Sequence, residues 1–340
     1  LSTTINLDQW LQIGFEWDDY EVAVKLERSE AELEENYFRP AAEAMAQEWD
    51  SRSARWAYQN ASMVVGTLGT SPTSVATYLK ARQALKEAPC SPGMKYACIS
   101  SQMMEQLGEN ITTVFNPVDE ITKNFKEGAI GKLAGATFFE SNSLYSHTAG
   151  TWASTVTVTG AGQNGSSLII TGTAGDTLKA GDKVSIANVN GVNRMTRRVA
   201  GVATARRFTV TQDYTLTSGP DTISILPAIY GPGSNYQNVD ALPANGAALT
   251  LWPGTTSPNG KVGTVGMMIG KNAFAFTGAR LYVPKAVESA GQAYDSKMQM
   301  GVRKVHAWDP VRSMNVHRVD SLGGFGNYYQ ADDVICIAGA

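Results

Sequence analysis

Alternating apolar and polar positions dominate the chain, and helical spacing is confined to a few windows. Residues 4–26 alternate in short runs, as Val22, Val24 and Leu26 do against Glu21 and Lys25, which predicts an extended strand or arm. Ser29 followed by Glu32 has the form of a capping box, in which hydroxyl and carboxylate each satisfy a free backbone N–H, so a helix is predicted to start there. Pro40 is predicted to interrupt it. From residue 41 to about 63 a second helical pattern places Ala42, Met45, Trp49 and Trp56 near one face, with Glu43, Asp50 and Arg52 on others, making the longest helix of the chain. Val75, Tyr78, Leu79, Arg82 and Leu85 give a further helix over 74–87, closed before Pro89, and a strand follows at 95–99. Asn116 and Pro117 read as a helix start, because Asn can cap and Pro fits the first helical position, with Asp119 and Glu120 at the positive end of the dipole and Gly128 as the stop.

The pattern changes at about Gly150. From residue 152 to 230 the chain is rich in Thr, Val, Gly and Ser and nearly free of helical spacing. Short alternating runs at 155–159, 167–171, 182–186, 207–211 and 222–225, separated by Gly- or Asp-rich turns, predict strands at the spacing of a small barrel. After Pro232 the composition returns to mixed α/β, with strands expected at 274–276, 281–283, 302–308 and 334–337. The arrangement is an α+β host with an all-β barrel inserted in it.

A length of 340 residues with 43% apolar content supports a real core and two or three structural units. The formal net charge of −3 argues against a protein whose affinity comes from neutralising phosphates. Cys90, Cys98 and Cys336 are too few and too scattered for a disulfide framework and form no Cys-x-x-Cys pair, so they read as small core residues made in a reducing compartment. Apolar stretches such as 265–269 fall far short of the ~20 residues that span a bilayer. The chain opens at Leu1 with neither an initiator Met nor a signal pattern, and is expected to be a processed form or a piece of something longer.

Candidate chemistry is sparse. His306 and His317 each precede an Asp by three residues, Asp309 and Asp320, yet partners three apart on a strand point to opposite sides, and no His-x-x-x-His pair is present to hold a metal on one helical turn. Residues 128–133 lack the spacer and the Ser or Thr of a phosphate loop and read as a helix end and a turn, and the glycines of 321–326 do not open a helix after a strand and read as a turn or bulge. One cluster stands out: Arg194, Arg197, Arg198, Arg206 and Arg207 lie in a stretch of the β module without an acidic residue. It is either a solvated loop and strand face or a charged contact to an acidic partner surface, since Arg pairs bidentately with carboxylates and much of the acid lies in residues 16–50. A nucleic-acid role ranks third, because only Phe208 is near to stack on a base.

The order of pieces (an extended arm, a long helix, a mixed segment, a turn-to-strand run at 127–140, a β module and closing strands) resembles the major capsid (coat) proteins of tailed bacteriophages, in their short-tailed, P-22-like branch. Residues 126–150 resemble that family's entry into its insertion, 178–187 a barrel hairpin turned at Gly181 and Asp182, and 307–323 with 333–339 the closing strands. The resemblance implies the Hong Kong 97-type fold, with long loop, spine helix, peripheral domain and axial domain, and a β-barrel insertion. It implies an extended loop or arm segment at 1–26, a spine helix at 27–66, axial parts at 67–150 and 231–273, the barrel at 151–230 and peripheral strands at 274–340. The family normally begins with an arm and the outgoing half of the long loop, whereas this sequence starts inside that loop. Function is then assembly: copies of the chain as pentamers and hexamers around double-stranded DNA, held without tight specific binding, with a scaffolding protein and a portal protein, no membrane, no cofactor and no active site. The shell would assemble in the host cytoplasm and become the virion capsid. Two other readings are a secreted or surface β-rich adhesion module that binds glycan, for which an upstream signal peptide would speak, and an enzyme carrying an inserted β domain, which the missing acid, base and phosphate motifs disfavour.

Overall fold

The computed structural model describes residues 4–18, 34–87, 94–111, 132–133, 135–152, 155–193, 196–199, 205–252, 260–271, 273–285, 287–297, 299–327 and 334–339. In chain order these hold β1 (Gln9–Asp18), a π-helical turn (Glu34–Phe38), α1 (Arg39–Asn60), β2 (Met63–Gly66), α2 (Val75–Glu87), β3 (Lys95–Ile99) and α3 (Ser101–Ile111). Then come β4 (Lys132–Leu133), β5 (Ala136–Glu140), β6 (Ser146–Thr148), β7 (Val156–Val158), β8 (Gly165–Thr171), β9 (Thr177–Leu178) and β10 (Lys183–Asn190). They are followed by β11 (Ala205–Val210), β12 (Tyr214–Thr215), β13 (Pro220–Ile229), β14 (Ala248–Leu251) and β15 (Val262–Gly270). The last are β16 (Phe274–Gly278), β17 (Ser289–Asp295), β18 (Met300–Asp309), β19 (Met314–Asn327) and β20 (Val334–Ala338). The expected helix starts at Ser29 and Asn116, and the sequence to residue 131, lie outside the described residues.

The chain divides into two compact units, Leu1–Ser53 with Phe274–Tyr328, and Ala54–Ala273 with Tyr329–Ala340. In the first unit β19 forms the middle of an antiparallel sheet, with β1 on one side, β18 and then β17 on the other, and β16 against its last five residues. The first part of α1 supplies the cover. Ala41, Met45 and Trp49, four apart, form its buried stripe, and Met45 and Trp49 pack with Leu11, Ile13, Val319, Phe276 and Phe325. The Trp49 ring meets Phe276 edge-on at 5.1 Å, so the expected packing of the long helix on the strands after 274 is observed.

Several sequence expectations are corrected in this unit. Pro40 does not interrupt a helix: it is the second residue of α1, at the junction where the π-helical turn Glu34–Phe38 runs directly into it. Ala41, rather than Ala42, shares the buried face, and the helix stops at Asn60 so that Met63 opens a strand. Residues 281–283 are not a strand, and Tyr282 is largely exposed while its carbonyl accepts from Arg303 Nη1 at 2.6 Å. The glycines of 321–326 form no turn but the end of β19, where their missing side chains admit neighbouring backbone. At Gly324 a Cβ would overlap the Asn6 carbonyl oxygen. Gly324→Ala is expected to lower stability by about 1–3 kcal/mol and to speed proteolytic release of the residues before β1; melting and cleavage indistinguishable from the parent protein would refute the close approach.

The second unit joins two β structures. Its open sheet runs β2-β20-β15-β3-β5-β4, with β6 also paired to β15. α2 and α3 supply Tyr78, Ala81, Leu85, Met103 and Leu107 to a core shared with Ile99, Met268, Ile335 and Ile337. α3 was not anticipated, although Ser100 precedes it and its hydroxyl accepts from the Met103 N–H at 3.3 Å. The expected 274–340 segment therefore splits: β20 belongs to this sheet, where Val334, Ile335, Cys336, Ile337 and Ala338 are all buried, as fits a strand covered on both faces.

The second structure is a closed barrel, β10-β11-β13-β8-β7-β14, filled by Val156, Leu168, Ile170, Val184, Phe208, Ile223 and their neighbours. Each strand predicted between 155 and 225 is present. The barrel extends past the expected boundary at 230, because β14 closes it between β7 and β10. The chain leaves the open sheet at β6 and rejoins it at β15, and those two strands pair with each other.

Candidate functional site

The arginine cluster resolves into unlike members. Arg194 lies outside the described residues. Arg197 and Arg198 are exposed near the tip of a short hairpin closed by the Val192–Val199 bridge. Asn193 organises that tip: its carbonyl accepts from Arg197 N–H at 2.6 Å and its side-chain oxygen from Thr196 N–H at 3.2 Å. Arg197 takes a left-handed backbone with φ of 54°.

Arg206 and Arg207 are adjacent on β11 and therefore face opposite ways. Arg206 shares the side of Phe208 and Val210 and is buried. Arg207 shares the side of Thr209, and its guanidinium donates to the Val64 carbonyl, where burial lowers its pKa. The structure thus does not gather all five arginines on one surface; it leaves Arg197 and Arg198 as the outward pair.

Opposite Thr209 in the ladder stands Lys183, also directed out of the barrel while Val184 fills it. The Lys183 ammonium is buried and donates to the carbonyls of Tyr58 at 2.7 Å and Ala61 at 2.5 Å and to Thr209 Oγ1 at 2.9 Å. It lies 4.3 Å from the centre of the Tyr58 ring. These are the last carbonyls of α1 and its exit, which lack intrahelical donors and carry the negative end of the helix dipole, so a cation is the natural cap. Burial nevertheless pushes the lysine down to about 8. Beside it, the buried Asp182 carboxylate accepts from His147 Nε2 at 2.8 Å, Gly150 N–H at 3.0 Å and Lys179 N–H at 2.7 Å. Gly181 turns the chain between Lys179 and Asp182 with φ of +100°, and the Tyr58 ring lies where its side chain would be. This polar cluster binds the barrel to the helix exit and to β6. Sequence inspection missed it, although the alternation Lys183, Val184, Ser185, Ile186 already puts a lysine on the face opposite the core.

The other sequence candidates lie in the first unit. His306 and His317 face each other across β18 and β19, and their rings stack at 4.0 Å, nearly parallel at 5°. Stacked this way the ring nitrogens lie in parallel planes and do not converge on one point. Asp320 points to the opposite face from His317, toward Arg303 and Arg318. Trp17 and Phe38 enclose His317, and burial, then His306, then Lys304 lower its pKa from 6.5 to about 4. Because the folded value lies below the unfolded one, the unfolded chain takes up a proton between pH 6.5 and 4 that the folded chain refuses, so stability is lost as pH falls through that window. After allowance for solvent at this partly open site the loss is about 1–2 kcal/mol. His317→Phe should keep the aromatic packing and remove this part of the acid dependence; equal acid slopes for variant and parent would count against it.

Comparison with known proteins completes the site. The family model described as P22 coat protein, gene protein 5, matches residues 11–259. Among curated proteins none matches the chain. Solved structures similar to it include one of Mycobacterium phage Che8, with a TM-score of 0.46 and 12% identity over 98% of this chain and 71% of that one. The capsid structure of the cyanophage P-SCSP1u gives 0.43 and 12% over 99% and 73%. The asymmetric unit of the bacteriophage PhiM1 mature capsid gives 0.44 and 10% over 99% and 72%. With nearly three quarters of its length matched by one family model, the chain belongs to the P22 coat protein family: it is a tailed-phage major capsid protein, a structural subunit that self-assembles into the virion capsid.

Proposed function

We propose that the chain builds its shell in the Hong Kong 97-type manner, as pentamers and hexamers closing into an icosahedral head around double-stranded DNA. In this reading α1 is the spine helix, residues 1–26 belong to the long loop, residues 274–340 are chiefly the peripheral strands, and residues 67–150 with the stretch from β15 to residue 273 form the axial domain, the expected second part from 231 being shortened by the barrel strand β14. The barrel is an insertion domain. The observation that carries the reading is the pairing of β6 with β15: the open sheet is continuous across the point where about a hundred residues of barrel leave and return, as in a host fold that has received an insertion. A scaffolding protein sets the size of the shell and a portal occupies one vertex, with assembly in the host cytoplasm. The net charge of −3 suits a wall that encloses DNA without gripping each phosphate.

Arg197 and Arg198 make a charged contact in the assembled shell, whereas Arg206 and Arg207 act within the barrel and its attachment. Coexpression with the scaffolding protein followed by electron microscopy tests the whole reading. Closed particles of uniform diameter are expected; monomers dispersed across salt and pH would overturn it.

A further inference from the structure

We propose that the Arg197–Arg198 hairpin of one copy seats on the outward face of α1 of a second copy, with Glu43 and Asp50 as the receiving carboxylates. The inference rests on the shell reading above and names the partner surface for its arginine contact.

On the donor side, residues 196–199 are exposed, and among the described residues neither guanidinium meets a carboxylate of its own chain. Residues 196–198 are nevertheless held by bonds to Asn193, including Asn193 N–H to the Arg198 carbonyl at 3.0 Å. Two adjacent cations on a pre-shaped turn lose less freedom on docking than two on a loose loop.

On the receiving side, Ala41, Met45 and Trp49 fix which face of α1 is inward, and Glu43 and Asp50 fall on the opposite face. Seven residues separate them, about 10 Å along the axis, a gap that two splayed arginine side chains on neighbouring residues can bridge. Around them Ala42, Ala44 and Ala46 are exposed and small, and the exposed Gln47 lies between the two carboxylates on the same face, a long polar side chain that can swing aside or bond a partner. Asp50 has no cation within reach among the described residues, and burial already raises its pKa. Glu43 meets only Arg39, at 3.6 Å between two well-exposed side chains, a pairing that a docked guanidinium can displace. The two patches differ, so the contact is head-to-tail, the kind that closes five or six copies into a ring when the rotation fits.

A charge exchange tests the pairing. R197E/R198E and E43R/D50R are each expected to lower the yield of closed shells by ~10-fold or more, while the combined four-substitution protein recovers to within ~3-fold of the parent. All unassembled subunits should melt as the parent does. A combined variant no better than either pair overturns the proposal, as does a lowered melting temperature of unassembled R197E/R198E, which would place the arginines in a contact inside one chain. The parent protein run alongside separates this from the shell reading: parent shells without rescue sink the pairing alone. Should the parent form no shells, the shell reading falls, and oxidation of mixed R197C and D50C subunits still decides the pairing. A covalent dimer absent from the parent supports it, and its absence overturns it.

Discussion

Asp320→Ala is expected to destabilise the first unit by about 3–5 kcal/mol, the range for removing one partner of a buried ion pair. Asp320 is fully buried, with Arg303 directly opposite it in the ladder and Arg318 two residues away on the same face. Arg303 grips it side-on with two bonds, Nε to Oδ1 at 2.8 Å and Nη2 to Oδ2, and Arg318 Nη2 reaches Oδ2 at 3.0 Å. The carboxylate bond raises the Arg303 pKa above its ordinary value, and without that bond the guanidinium still stays charged, because arginine does not lose its proton near neutral pH. The penalty is therefore less the lost attraction than two cations left facing a desolvated gap. Chemical unfolding of the unassembled subunit measures it. Asp309→Ala, which removes only the exposed bond from Val311 N–H at the β18–β19 turn, is the control and should change stability by less than ~1 kcal/mol. A loss below ~1 kcal/mol for Asp320→Ala would show that water already screens the group.

What could be read from the sequence follows from what each element needs. The barrel strands were legible because one face fills a core and the other meets water or polar partners, which imposes period two on runs such as 207–211. α1 was legible in its buried Met45 and Trp49, but not in its start, because Pro40 reads as a break, whereas the chain enters α1 directly from the π-helical turn before it. The end of β19 was hidden by its glycines, which signal turns locally and here admit close backbone approach. The arginine cluster was legible as composition only. Adjacent strand positions alternate faces, so Arg206 and Arg207 cannot act as one surface, and it took the ladder register to show which of them points where. Likewise the His306–His317 stack depends on the register of the β18–β19 hairpin, which spacing along the chain does not give.

Asp182→Ala is the second large effect, an expected loss of about 3–5 kcal/mol centred on the barrel's attachment. Its buried carboxylate receives three donors, an imidazole and two backbone N–H groups, which alanine would leave without this acceptor. Two of those donors sit on the segments that connect barrel and open sheet: His147 on β6 and Gly150 just after it. The neighbouring Lys183 holds the other connection, to the exit of α1, and depends on the same turn for its position. Asp182→Asn separates charge from shape. The amide keeps one accepting oxygen and turns an NH2 toward the donors that the second oxygen served, so it should lose about half as much as alanine. Asp213→Ala, which removes an exposed partner of Lys179 and Ala180, should cost less than ~1 kcal/mol. The order alanine, then asparagine, then the Asp213 variant, read by urea unfolding with Trp152 of the barrel core as reporter, identifies the buried carboxylate as the fastening. Equal losses for Asp182→Asn and Asp182→Ala would instead make its charge, and not its shape, the whole of the effect.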